Sequence, residues 1–147
     1  MDESQKIIFS TKALLLHRDK FLVLHKKSNN RMPVFLWDLP GGTMAFGEAP
    51  EETIIREITE ETGLIISDLR LYDTWVHQKD EMTQLSGVVY LGQTSITEIT
   101  LSNEHDRFQW ITLDDPEVDS VHPAFRPKVI KLRNERASQL PNDASLK

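Results

Sequence analysis

The segment PGGTMAFGEAPEETIIREITEETGL, Pro40 to Leu64, constrains the chain more than any other. Pro40-Gly41-Gly42 is a strong breaker of whatever precedes it. Pro50 suits the first position of a helix and Gly63 the residue just past its end. Ile54, Ile55 and Ile58 give the intervening helix an apolar stripe, with Ile54 and Ile58 one turn apart. Its acids divide into two groups. Glu51 and Glu52 fall in the first turn, where the helix dipole favours negative charge. Glu57, Glu60 and Glu61 fall in the last two turns, at the unfavourable end. They project from neighbouring positions on one surface, and each like-charge pair costs roughly 0.2–0.5 kcal/mol. Within the helix only Arg56 offers a nearby opposite charge. One reading is a solvated acidic face. The other is a site for Mg²⁺ or Mn²⁺, hard cations that bind clustered carboxylate oxygens.

Around this helix the pattern is mostly strand. Lys6 to His17 is apolar and β-branched, Arg18-Asp19-Lys20 suits a turn, and Phe21 to His25 returns as a hairpin. Ser28 to Arg31 reads as a loop, and Val34 to Leu39 as a strand ending at the Pro-Gly-Gly breaker. Strands are expected again from Leu64 to about His77, from Gln84 to Leu91 after a turn at Lys79-Asp80-Glu81, and from Arg107 to Thr112. Phe125, Val129 and Leu132 recur at helical spacing, which predicts a C-terminal helix whose start is blurred by Pro123 and Pro127. A chain of 147 residues fits one domain, 1–147, with residues from about 139 to 147 expected to fray. The expected class is α+β, one strand-rich layer between or beside two helices.

Composition removes several chemistries. There is no cysteine, so disulfides, zinc–thiolate sites, iron–sulfur clusters and cysteine nucleophiles are excluded. The N-terminus lacks a secretory signal pattern, and no apolar run approaches the ~20 residues that span a bilayer. A cytoplasmic protein without a membrane partner is expected. A net charge of -6 argues against broad nucleic-acid binding. The basic C-terminal residues Arg126, Lys128, Lys131, Arg133 and Arg136 read more simply as a solvated face than as a nucleic-acid patch.

From Gly42 to Leu64 the chain resembles the Nudix box, GX5EX7REUXEEXGU with U a bulky aliphatic. Gly42, Glu48, Arg56, Glu57, Ile58, Glu60, Glu61, Gly63 and Leu64 match every specified position. Average residue usage puts a chance match on the order of 10⁻¹⁰ per window. Trp37-Asp38-Leu39-Pro40-Gly41-Gly42 resembles the family's approach to the box, although Glu is commoner there than Asp38. The resemblance implies a Nudix fold, a mixed β-sheet sandwiched between helices. It implies hydrolysis of a nucleoside diphosphate linked to another moiety, with Mg²⁺ or Mn²⁺ as cofactor.

By the same resemblance Glu57, Glu60 and Glu61 would be metal ligands, joined by the Gly41 carbonyl. Arg56 would orient the carboxylates, and Glu48 would assist through water or a second metal. Glu104, in Ser102-Asn103-Glu104-His105-Asp106, sits in a context similar to the family's general base outside the box, and Glu81 is the alternative. Arg31, Trp37 and Phe46 are the candidate substrate contacts. Trp37 and Phe46 belong to a set with Phe35, Trp75 and Trp110 for which core packing is the competing role. Among the five histidines, His77 and His105 could reach a site at the strand ends, His105 beside Glu104 above all. Neither sits in a multi-histidine metal spacing, and a surface role is the simpler reading.

Within the class, a nucleoside triphosphate or a nucleotide sugar is favoured as substrate. The competing function is a non-catalytic module that senses a nucleotide. Isopentenyl-diphosphate isomerases resemble the family but need a cysteine, which is missing here. The family's habit of dimerising leaves a homodimer open.

Overall fold

The computed structural model describes residues 2–27 and 35–145, with side chains described as far as 139. Strands β1 (Lys6–His17), β2 (Lys20–Lys26), β3 (Gly41–Thr43), β4 (Ser67–Gln78), β5 (Thr83–Gln93) and β6 (His105–Thr112) form one sheet. Its order is β4-β5-β1-β2-β6, with β3 paired to β1. The β1–β5 pair is parallel and the others are antiparallel. Helix α1 is Pro50–Thr62 and helix α2 is Arg126–Ser145. Among the described residues no helix is long and apolar enough to cross a membrane.

The two helices cover opposite faces of the sheet, which explains why β1 and β2 are apolar without alternation. Leu14, Leu16, Phe21 and Val23 point into a core shared with Phe125, Val129 and Leu132 at the C-terminal helix. Their sequence neighbours Ala13, Leu15, Leu22 and Leu24 point the other way, against Ile54 and Ile58 of α1. Truncating Ile58 to Ala would remove about 2–5 kcal/mol, the usual range for a fully buried aliphatic. Ile55 does not join this stripe: it is 47% exposed.

Helix α1 starts and stops as its sequence predicts. The Glu52 carboxylate accepts the Ala49 N–H, satisfying one free donor at the helix start. Gly63 adopts φ 75° and its N–H returns to the Thr59 carbonyl. Thr62 Oγ1 bonds the Ile58 carbonyl and receives the Leu64 N–H, closing the exit.

One feature of the sheet builds the site. Strands β1 and β2 pair only beside their turn, through Leu16–Phe21 and His17–Lys20. Beyond that they splay, and Asp38 to Thr43 fills the wedge. Asp38 exchanges two backbone bonds with Leu24 of β2, and Gly41 to Thr43 pair with Ser10 to Lys12 of β1. The expected Val34–Leu39 strand is therefore replaced, over its described part, by isolated bridges at Trp37 and Asp38. The Pro-Gly-Gly segment, read as a breaker, leads directly into β3. A 3₁₀ turn, Pro116–Ser120, also has no counterpart in the sequence reading.

Candidate active site

Arg56 organises the outer half of the acidic helix face. Its Nε and Nη2 donate to the two oxygens of Glu48 at 2.6 and 2.9 Å. Its Nη1 reaches Glu57 at 2.9 Å and Glu60 at 3.3 Å. Glu48 Oε1 also accepts the Ala45 N–H and the Thr53 hydroxyl. These bonds, those from Arg56 foremost, hold the Glu48 carboxyl down at about 2. Glu48 thus braces the β3–α1 loop and is not among the residues that line the adjoining cavity. Gly42 lets the helix come close: a Cβ there would lie 2.5 Å from the Glu57 carboxyl carbon.

The inner half is differently placed. Glu61 is only 6% exposed, and the Gly41 N–H donates to its Oε1 at 2.8 Å. Burial pushes its carboxyl up to about 8, against the opposing pull of the Lys12 charge and the Gly41 bond. Burial also raises Glu57, with Arg56 opposing. Across from them, Glu104 in the turn before β6 and His105, the first residue of β6, face the same space. One ligand atom each from Glu61, Glu104 and His105 lie within 4.8 Å of one another.

These groups border a cavity of about 420 Å³. Its acidic wall is Glu57, Glu60, Glu61 and Glu104, beside Gly41 and Gly42. Its inner end is Trp75, His122 and Phe125. Between the two ends, Lys12 Nζ binds the Asp38 carboxylate at 3.2 Å and the Leu39 carbonyl at 3.1 Å. His122 Nδ1 accepts the Ala124 N–H at 3.0 Å, and burial pushes this imidazole down to about 4.

Glu57, Glu60, Glu61, Glu104 and Gly41 therefore share one cavity, with Arg56 and Glu48 bonded behind them. Two candidate substrate contacts lie off this cavity. Trp37 is 4% exposed, packs in the core and donates its indole N–H to Glu117. Phe46 stands fully exposed on the β3–α1 loop and does not line the cavity. Arg31 lies outside the described residues. Glu81 lies at the far end of the sheet, in the β4–β5 turn. His105, read as a surface residue, is 7% exposed, and so is His122. Lys12 carried a signal of its own: between Lys6 and His17, which bound the central strand β1, it is the one charge.

The donor set suits a hard divalent cation. Five acids line the cavity, Asp38 included, against two lysines, Lys12 and Lys26. A buried Glu61 keeps its charge at neutral pH only with positive charge beside it.

Comparison with known proteins agrees. The NUDIX domain matches residues 8–132. An 8-oxo-dGTP diphosphatase from Proteus vulgaris is 39% identical over 41 residues, 28% of this chain and 37% of that protein. An ADP-ribose pyrophosphatase from Methanocaldococcus jannaschii is 43% identical over 51 residues, 35% of this chain and 30% of that one. The chain thus spans about a third of the length of these curated relatives. The crystal structure of a MutT protein from Methanosarcina mazei Go1 superposes with a TM-score of 0.75 at 25% identity, over 90% of this chain and 96% of the other.

Proposed function

The chain belongs to the NUDIX domain family, and from that membership we propose that it is a divalent-cation-dependent pyrophosphohydrolase acting on a nucleoside diphosphate linked to another moiety. The observation that carries this reading is the convergence of Glu57, Glu60, Glu61 and, opposite them, Glu104 on one cavity. A divalent cation held by these carboxylates, with the Gly41 carbonyl as a further ligand, would reverse the local sign, polarise phosphoryl oxygens and acidify water.

The protein's own groups fix the geometry. Arg56 holds Glu57 and Glu60 by charge-assisted bonds and Gly41 holds Glu61, so the carboxylates are set before substrate arrives. Glu104, exposed opposite α1, would take the proton of an attacking water through the carboxylate oxygen that does not hold the cation. Hydrolysis then breaks the P–O–P bridge, and the proton passes through Glu104 to solvent. Lys26, also lining the cavity, adds positive charge for the substrate's phosphates.

Relatives named for 8-oxo-dGTP and for ADP-ribose support a nucleoside triphosphate or a nucleotide sugar as substrate. The test is phosphate or pyrophosphate release from nucleoside triphosphates, nucleotide sugars and dinucleoside polyphosphates, each with Mg²⁺, with Mn²⁺ and with chelator. Metal-dependent turnover of one class is expected. Tight binding of a nucleotide without turnover would replace the hydrolase with a sensing module.

A further inference from the structure

We propose that His105 is a nitrogen ligand of the bound cation, completing a mixed site with Glu61 and Glu104 that favours Mn²⁺ and later transition metals over Mg²⁺. The inference rests on the cation-dependent reading above and deepens it.

A buried imidazole normally finds hydrogen-bond partners, because leaving its nitrogens unpaired costs desolvation without return. His105 has none among the described residues. Its Nδ1 is buried without a partner. Its Nε2 stands 3.7 Å from Glu61 Oε2, beyond hydrogen-bond reach. The main chain of His105 is fixed on both sides. The residue pairs with Lys26 of β2, and its N–H bonds the Ser102 carbonyl.

The spacing suits a shared ion. Two donors each about 2.1 Å from one cation stand roughly 3.0–3.4 Å apart at right-angled to tetrahedral openings. A shift of a few tenths of an ångström brings Nε2 and Glu61 to that separation. Glu104 adds a third donor within the same 4.8 Å. Lys12 does not compete for the space with a free charge, since Asp38 and the Leu39 carbonyl hold its ammonium.

Donor chemistry sets the selectivity. Carboxylates alone suit Mg²⁺ and Mn²⁺ alike, whereas imidazole adds affinity for transition metals and little for Mg²⁺. Glu61 and the Glu104–His105 pair come from segments more than forty residues apart in the chain, so only the fold brings them together.

The experiment uses Mn²⁺ alone, without substrate. Pulsed EPR of the Mn²⁺-loaded protein should show a directly bound ¹⁴N, which changes to a ¹⁵N pattern when histidine is labelled. The signal should persist in His122→Gln and vanish in His105→Asn. Mn²⁺ affinity should fall about ten-fold or more in His105→Asn, and Mg²⁺ affinity about two-fold or less. Bound Mn²⁺ with no nitrogen coupling in the wild type overturns the proposal, and leaves His105 to a simple contact with Glu61. So does coupling lost in His122→Gln. Should His105→Asn fail to fold, the labelled wild type and the His122 variant still decide. Nitrogen coupling in a protein that hydrolyses nothing would sink the hydrolase and keep the ligand. Hydrolysis without coupling would do the reverse.

Discussion

The acidic face has two halves built from the same residue types and left in opposite states. At Glu48 both oxygens are taken, by Arg56, the Ala45 N–H and the Thr53 hydroxyl. At Glu61 and His105 a buried carboxylate has one backbone donor, and a buried imidazole has no hydrogen-bond partner among the described residues. A saturated carboxylate is part of the scaffold. One left short of positive charge in a dry setting is waiting for a ligand, because the protein forgoes stability there that it could have gained by a simpler residue. The box therefore contains two kinds of glutamate, and its spacing does not distinguish them.

The largest expected contrast is Glu61→Gln. The rate should fall by about three orders of magnitude or more, the scale of losing an electrostatic group at a reacting centre. Folding should not suffer. Gln keeps the shape and the Gly41 bond, and it removes a buried charge whose carboxyl already sits near 8. In metal-free buffer at pH 8–9 the melting temperature should equal or exceed that of the wild type. The rise in melting temperature on adding Mn²⁺ should shrink. A metal-free variant that melts well below wild type would make Glu61 a scaffold residue after all.

Glu48→Gln should show the reverse signature with a smaller loss of rate. The amide accepts at one position only, so Arg56 loses one of two charge-assisted bonds and the β3–α1 loop loosens. The melting temperature should drop clearly and kcat by about ten-fold, with the Mn²⁺-induced rise retained. If Glu48→Gln instead costs as much rate as Glu61→Gln and leaves the melt unchanged, the two halves do not differ as described.

How far the sequence revealed these halves depends on how local each is. Helix α1 was legible because Pro50, the isoleucine spacing and Gly63 act within one element. Strands β1 and β2 were legible for the same reason, as apolar and β-branched segments on either side of a turn. Trp37 was not. Its burial comes from bridging to Val121 and from Glu117, eighty positions along the chain. Strand β3 was missed because two glycines carry no side-chain preference for pairing, and only the splay of β1 from β2 creates an edge for them. His105 and His122 look alike in sequence and are equally buried. Only the fold places one beside two carboxylates and the other among aromatic rings.

That second histidine offers the mildest test of the comparison, since His122 is satisfied where His105 is not. Its Nδ1 accepts the Ala124 N–H, which requires a bare nitrogen, and burial holds its pKa at about 4 against about 6.5 for an unfolded chain. Between those values the unfolded chain binds more protons than the folded one. His122 therefore weakens folding as pH falls from about 6.5 towards 4, by at most one proton, or about 1.4 kcal/mol per pH unit, and has no effect above that window. Glu61 acts in the opposite sense. Its raised carboxyl stabilises the folded protein at low pH and withdraws that support as pH rises through about 8. The total melting curve thus blends opposing slopes, and the informative quantity is the difference between wild type and His122→Phe. Phe keeps the aromatic packing against Phe125 and removes the titration. The wild type should lose stability relative to His122→Phe on acidification from pH 7 to pH 5, with the gap constant between pH 7 and pH 8. A difference that stays flat down to pH 5 would mean that His122 takes up its proton in the folded state as readily as in the unfolded one, and that its bond to Ala124 is not holding it neutral.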